Sequence, residues 1–325
     1  MAYEVRNLKT SFFCEADQTI IQAAQSSSLL IEHSCLSGRC SSCKAKLIAG
    51  SSKAVKEELG LTAAEKAEGY ILTCVHKPTS DIEIDVEILQ NINFLKSKTL
   101  PAKISSITKI TADVIKLVLR FPTNDSFKFL PGQYVNVIKG SIKRSYSIAG
   151  AKEQNTLEFY IKNYEQGQMS KYLFGEAKEN DLLRVEGPLG SFFLRENSLQ
   201  NLIFLATGTG IAPILSMLKS SDNSDLLSKR SIYLFHGGRF KDDLIEQDFL
   251  RHSDIHYYPT LSREKIDDFH FGYIQHILIG EKIDLKNATV YACGSEKMIN
   301  DAKSLLIDAG LSPKEYYSDA FLESN

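Results

Sequence analysis

The sequence predicts a multidomain chain of α+β and α/β class in three parts: a small mixed block, an antiparallel β-barrel and a doubly wound parallel sheet. Three observations predict it. The 325 residues exceed what one small core holds. The central third is a series of short alternating strands cut by turn residues, and the last third alternates apolar strands with helices. Composition fits a globular protein: 43% hydrophobic and 24% charged residues exclude disordered and fibrous classes. The 38 basic and 40 acidic residues are interspersed, for a net charge of −2, which argues against a nucleic-acid partner and points to small molecules or proteins.

The first block, about 1–92, has a strand-like stretch YEVRNLKTSFFC, a helical window TIIQAAQSSSLL begun near Asp17, a cysteine-bearing loop and a closing alternation DIEIDVEIL. A polar connection, 93–100, leads through Pro101 into the second block. That block, 101–197, carries VIKLVLRF, GQYVNVIK, RSYSIAG, LEFYIKNY and DLLRVEG between turn signals such as Pro131-Gly132 and Gly187-Pro188, the pattern of an antiparallel barrel. The third, 198–325, sets NLIFLA, RSIYLFHGG and ATVYACG each before a helical stretch, the pattern of a parallel sheet.

No apolar h-region follows the N-terminal charges, so no signal peptide is expected and the chain is expected in the cytoplasm. The most apolar window, 201–218, nears membrane-spanning length. Its asparagine, two threonines and two glycines suit a buried strand, loop and helix better, and no membrane association is expected.

Cys35, Cys40 and Cys43 crowd into HSCLSGRCSSCKAKL, and Cys74 follows in YILTCVHKP. Disulfides are disfavoured in a reducing compartment. The spacing C-x4-C-x2-C with a distant fourth cysteine is the plant-type arrangement for a 2Fe–2S cluster. Small residues at Ser37, Gly38, Ser41 and Ser42 let backbone N–H groups approach the sulfurs. Zinc and a redox dithiol are the competing readings. Zinc sites more often show two C-x2-C pairs, and a Cys40/Cys43 dithiol needs neither Cys35 nor Cys74. His33 and His76 lack the spacing of a Rieske site. Cys14 falls outside the pattern, as a buried small hydrophobe would.

Downstream, RSYSIAG puts Arg144, Tyr146 and Ser147 on one strand, where Arg144 suits a phosphate and Tyr146 a flat ring. Ordinary sheet packing is the competing reading. EQGQMSKYLFG reads as a loop entering a helix, with Gly167 and Ser170 at its start; free N–H groups there suit a pyrophosphate, or Ser170 is a simple cap. In IFLATGTGIAPILSML, Gly208 and Gly210 permit close approach of a nucleotide phosphate to a helix N-terminus, with Pro213 where a later glycine would usually stand. YACGSEKM places Cys293 and Gly294 at the carboxyl edge of the sheet, as ligand contacts or as a buried strand end.

Together PGQYVNV, RSYSIA, GQMS, EGPLGSFF, GTGIAP and YACGSEKMI, in that order, resemble the ferredoxin–NAD(P)H reductase superfamily, in the subgroup with a plant-type 2Fe–2S ferredoxin fused at the N-terminus. IEHSCLSGRC, QGQMS, EGPLGSFFLRE and YYSDAF resemble, within it, the reductases that serve a CDP-sugar 3-dehydrase in 3,6-dideoxyhexose synthesis.

The resemblance implies a β-grasp first domain, an FAD-binding barrel and an NAD(P)H-binding third domain. It implies that Cys35, Cys40, Cys43 and Cys74 hold the cluster. Arg144, Tyr146 and Ser147 would bind the flavin, with Gly167, Gln168, Met169 and Ser170 near its pyrophosphate. Gly208, Thr209, Gly210 and Pro213 would hold the nicotinamide nucleotide, with Cys293 and Gly294 beside the nicotinamide and Phe321 as the aromatic that stacks on the flavin. Ser147 and Cys293 would bracket the reacting atoms without acting as nucleophiles. Ser262, Arg263 and Tyr273 are similar to the 2′-phosphate site of NADPH-dependent members, but a further basic residue is replaced around Phe271, which favours NADH over NADPH. The implied activity is single-electron delivery to a partner protein, a sugar dehydrase or alternatively an oxygenase component, collected around Ser37, Gly38, Arg39, Ser41 and Ser42.

Overall fold

The computed structural model describes residues 2–90, 96–123, 127–151, 155–251 and 253–321. The chain forms two compact units that divide at Leu95/Lys96, with Gly190–Phe192 grouped with the first. Residues 93–95 of the expected connection lie outside the described residues, and from Lys98 the chain is already strand.

In the first unit a five-stranded sheet runs in the order Ser11–Glu15, Ala2–Arg6, Ile82–Asp85, Lys44–Ala49, Tyr70–Leu72. Ala2–Arg6 pairs parallel with Ile82–Asp85, and the other pairings are antiparallel. The expected single stretch 3–14 is therefore a hairpin. Asn7 turns it, its Oδ1 accepting from the N–H groups of Lys9 and Thr10 at 2.9 Å, as Asx side chains do in turns.

The helix spans Ile20–Ser26 and starts later than Asp17 suggested. Thr19 and Gln22 form a capping box that satisfies two orphan N–H groups. Its Ile20, Ile21, Ala23 and Ala24 pack with Val5, Phe12, Cys14, Leu72 and Ile84 into one core. A sheet curled around one helix is the β-grasp arrangement. Each fully buried isoleucine or leucine there contributes about 1.5–3 kcal/mol.

The second unit contains two sheets. The antiparallel one runs Ile142–Ser147, Tyr134–Lys139, Leu182–Leu189, Lys98–Lys109, Val114–Arg120, Thr156–Lys162. It closes on itself: Ala149 N donates to Glu158 O at 2.8 Å and Glu158 N to Gly150 O at 2.9 Å, joining the first strand's extension to the last strand. Closure removes exposed edges and fills the interior with Ile104, Leu117, Leu119, Val135, Val137, Phe159 and Val185.

The second sheet is parallel, in the order His270–Phe271, His256–Leu261, Ser231–Gly238, Asn201–Thr207, Ala288–Ser295, Tyr316–Phe321. Leu202, Ile203, Phe204, Leu205 and Ala206 are all fully buried. Helices cover both faces of such a sheet, so its strands read as continuous apolar runs. This explains the 201–218 window, which splits into strand, glycine turn and the helix Ile211–Lys219. No helix among the described residues is long and apolar enough to cross a membrane.

Candidate functional site

In the first unit the four cysteines come together as two pairs. Cys35 Sγ and Cys40 Sγ are 3.2 Å apart, and Cys43 and Cys74 share a side-chain hydrogen bond. The loop achieves this through left-handed backbone at Leu36 (φ 52°) and Gly38 (φ 77°), which folds residues 35–40 back on themselves. Backbone N–H groups of Ser37 and Cys40 both lie 3.4 Å from Cys35 Sγ. Cys35 is held below the usual thiol range chiefly by hydrogen bonding from Cys40, and Cys74 by that from Cys43, while the donors Cys40 and Cys43 are pushed up.

Two pairs of thiols fit a two-iron cluster, each iron taking two thiolates, and the N–H groups aimed at sulfur suit the charge such a cluster carries. Among the described residues no three His, Cys, Asp or Glu side chains gather as one metal ion would require. Cys14 is fully buried, its Sγ 3.5 Å from Gln18 O, and burial raises its thiol to about 11. One expectation fails: Gly38 is buried, since a Cβ on it would lie 2.5 Å from Glu57 O, so it offers no surface to a partner. Ser37, Arg39, Ser41 and Ser42 are partly exposed.

On the barrel, Ile142–Ser147 pairs with Tyr134–Lys139 so that Arg144 faces Val137, Tyr146 faces Val135 and Ser147 faces Tyr134. Tyr146 packs partly into the barrel core, and burial lifts its phenol well above the usual range. The short helix Gln168–Lys171 packs beside this strand, so the elements that carry Arg144, Tyr146 and Ser170 are neighbours although distant in sequence. Gly167 caps it without a side-chain bond, and Ser170 is not the cap: its Oγ accepts from Tyr164 N at 3.0 Å. Gln168 is exposed and Met169 is buried in the core.

In the parallel sheet, strand order reverses between Asn201–Thr207 and Ala288–Ser295, and open α/β sheets bind ligands in the crevice at such a switch point. The glycine turn Gly208–Gly210 follows the first of these strands, and Cys293 and Gly294 end the second. The two meet closely: a Cβ on Gly210 would lie 2.4 Å from Cys293 O, and one on Gly294 2.1 Å from Thr207 Oγ1. Only glycine fits at either place. Pro213 is the third residue of the helix Ile211–Lys219, where it costs no intrahelical bond. The turn also packs against the barrel strand Thr156–Lys162.

Cys293 is fully buried. Burial, and next the carboxylate of Asp319, keep its thiol protonated. Asp319 is its register partner on Tyr316–Phe321, a neighbour that the sequence did not single out because the pairing is long-range. Phe321, half-buried, pairs with Ser295 at the end of the same strand. Also unanticipated is a polar joint between the sheets: the Tyr160 hydroxyl donates to Glu246, which pairs with Lys219 at 3.0 Å. Ser262 Oγ donates to Gly238 O at 3.3 Å, and Phe271 and Tyr273 are exposed.

Three family models match in order along the chain: a 2Fe-2S iron-sulfur cluster binding domain over residues 4–79, an oxidoreductase FAD-binding domain over 101–194 and an oxidoreductase NAD-binding domain over 204–304. A polypeptide that joins these three is an NAD(P)H-dependent iron–sulfur flavoprotein oxidoreductase, and electron transfer is its chemistry.

The sequence is 38% identical over 322 residues to the CDP-6-deoxy-L-threo-D-glycero-4-hexulose-3-dehydrase reductase of Yersinia pestis, covering 96% of each chain. It is 26% identical to a naphthalene 1,2-dioxygenase system reductase component of Pseudomonas putida, over 94% of each. The fold matches the crystal structure of the Amycolatopsis cytochrome P450 reductase GcoB, with a TM-score of 0.78, 24% identity and 98% coverage of both chains. The chain belongs to the ferredoxin–NAD(P)H reductase superfamily, in the family of the CDP-6-deoxy-hexulose-3-dehydrase reductases that carry an N-terminal ferredoxin domain.

Proposed function

We propose that the protein draws electrons from NADH and delivers them singly, in the cytoplasm, to a CDP-sugar 3-dehydrase in 3,6-dideoxyhexose synthesis. The observation that carries this reading is the 38% identity over 96% of both chains to a reductase named for that dehydrase. A nicotinamide gives two electrons as a hydride, an iron–sulfur cluster takes one at a time, and a bound flavin converts between them.

The chain's own residues position these groups. Cys35, Cys40, Cys43 and Cys74 would hold the cluster, with the N–H groups of Ser37 and Cys40 supporting its negative charge. Arg144, Tyr146 and Ser147, with the 167–170 turn, would hold FAD along the barrel edge. The N–H groups of the Gly208–Gly210 turn and the helix behind it would receive the dinucleotide phosphates. Ser147 and Cys293 would flank the hydride path, the buried protonated thiol serving as a neutral wall. Phe321 would cover the flavin. The functional division at 92, 101 and 197 follows these three tasks.

The 26% identity to a dioxygenase reductase component supports a second reading, an oxygenase as acceptor. Reconstitution separates them. Purified protein, NADH and a CDP-6-deoxy-hexulose-3-dehydrase with its sugar substrate are expected to consume NADH in step with deoxygenated product. Coupling to an oxygenase component and none to the dehydrase would overturn the first reading.

A further inference from the structure

His236 lies at the carboxyl end of Ser231–Gly238, fully buried, in register with Ala206 on one side and Pro259 on the other. Its strand packs against the glycine turn Gly208–Gly210, and the next residue, Gly237, is so close to Thr207 that a Cβ there would lie 3.3 Å from Thr207 Cγ2. Nδ1 sits 3.2 Å from the Tyr257 hydroxyl. Nε2 is sealed from solvent with no partner at ordinary hydrogen-bond geometry. Gly208, in the turn against which this strand packs, offers the backbone that raises the ring's proton affinity, as a carbonyl facing an N–H does.

A buried imidazole stays neutral, and a neutral ring donates from one nitrogen and accepts at the other. A phenol donating to Nδ1 fixes the tautomer that carries hydrogen on Nε2. Gly208, at φ 54°, holds the left-handed conformation that starts the turn.

We propose that His236 is a positioning residue for the nicotinamide nucleotide: Tyr257 holds its ring at Nδ1, and Nε2–H is offered to the Gly208 carbonyl, fixing the turn whose N–H groups receive the phosphates. Nε2 has no partner at ordinary hydrogen-bond geometry in the free protein, and the bond is expected to form when the dinucleotide draws the turn into place. This rests on the reading of Gly208–Gly210 as the nucleotide site.

The test uses the full-length protein with its cofactors, with NAD+ binding followed by calorimetry and NADH oxidation followed with ferricyanide. His236→Leu is expected to weaken NAD+ binding and raise the KM for NADH roughly fivefold to tenfold, the size of one neutral hydrogen bond, with kcat within about twofold. His236→Gln, which keeps an N–H donor, is expected to recover most of the loss. Tyr257→Phe, a milder change that keeps the ring, is expected to weaken NAD+ binding about twofold to threefold. Wild-type affinity in His236→Leu, or in Tyr257→Phe should the former not fold, would overturn the proposal. So would a glutamine variant as weak as the leucine variant, or a loss confined to kcat. A wild-type protein that binds neither NAD+ nor NADH would overturn the reading of the turn itself, and this inference with it.

Discussion

Gly210 and Cys293 meet backbone to backbone at the switch point of the parallel sheet, where a side-chain carbon on Gly210 would lie 2.4 Å from the Cys293 carbonyl oxygen. Gly210→Ala must therefore push the turn away from the strand end, at a cost of about 1–3 kcal/mol. The KM for NADH is expected to rise about tenfold or more while flavin absorbance is retained. Gly280→Ala, at a position with nothing within 4 Å, is the matched control and is expected to change neither.

Thiol chemistry is expected to separate Cys35, Cys40, Cys43 and Cys74, the proposed cluster ligands, from Cys14. Cys14→Ala is expected to keep the iron–sulfur absorption and to cost about 1 kcal/mol, as a small core truncation. Cys43→Ala removes one member of the Cys43/Cys74 pair and is expected to abolish that absorption with flavin still bound. Visible spectra and iron content of the two variants check this.

Stability is expected to fall on acidification in a way that His236 governs. Burial pushes this imidazole down from 6.5 to about 3, against the Gly208 backbone contact that raises it. The unfolded chain takes up a proton as pH drops below 6.5, and the folded chain does not until near 3. The unfolded state thus binds more protons, and stability is lost as pH falls through that window. Between about pH 7 and 5 the wild type is expected to lose about 2 kcal/mol more than His236→Gln, measured by chemical denaturation at both values.

Nucleotide preference follows from what stands around the end of the strand His256–Leu261. Ser262 already spends its hydroxyl on Gly238 O, and the exposed Phe271 lies under the Lys265 ammonium, 4.7 Å from its ring centroid. With the Ser262 hydroxyl engaged and the Lys265 ammonium held over an aromatic face, kcat/KM is expected to favour NADH over NADPH by about tenfold or more. Phe271→Arg is expected to narrow that ratio, in steady-state assays with both nucleotides.

Much of this architecture is legible in the sequence because its signals are local. Glycine and proline punctuate the barrel strands, the unbroken apolar run at 202–206 marks a strand covered on both faces, and the cysteine spacing is set within nine residues. What escaped is either fine local chemistry or long-range pairing. The Thr19–Gln22 capping box moved a helix start from Asp17, and Asn7 broke one apparent strand into a hairpin. A simple cap is one of two readings the sequence leaves open for Ser170, and its hydroxyl instead accepts from Tyr164 N. Asp319 became a neighbour of Cys293, and Glu246 of Tyr160, only through sheet register and packing across 26 and 86 residues. Pairings at such separations leave no mark on either local segment.

The most direct test of the electron route is Cys74→Ser in the otherwise intact protein, assayed twice with NADH. Ferricyanide takes electrons at the flavin, whereas a one-electron protein acceptor depends on the cluster. Ferricyanide reduction is expected to persist near the wild-type rate while reduction of the protein acceptor falls by about a hundredfold or more. Undiminished delivery to the protein acceptor, in a variant shown to lack the cluster's absorption, would contradict the account.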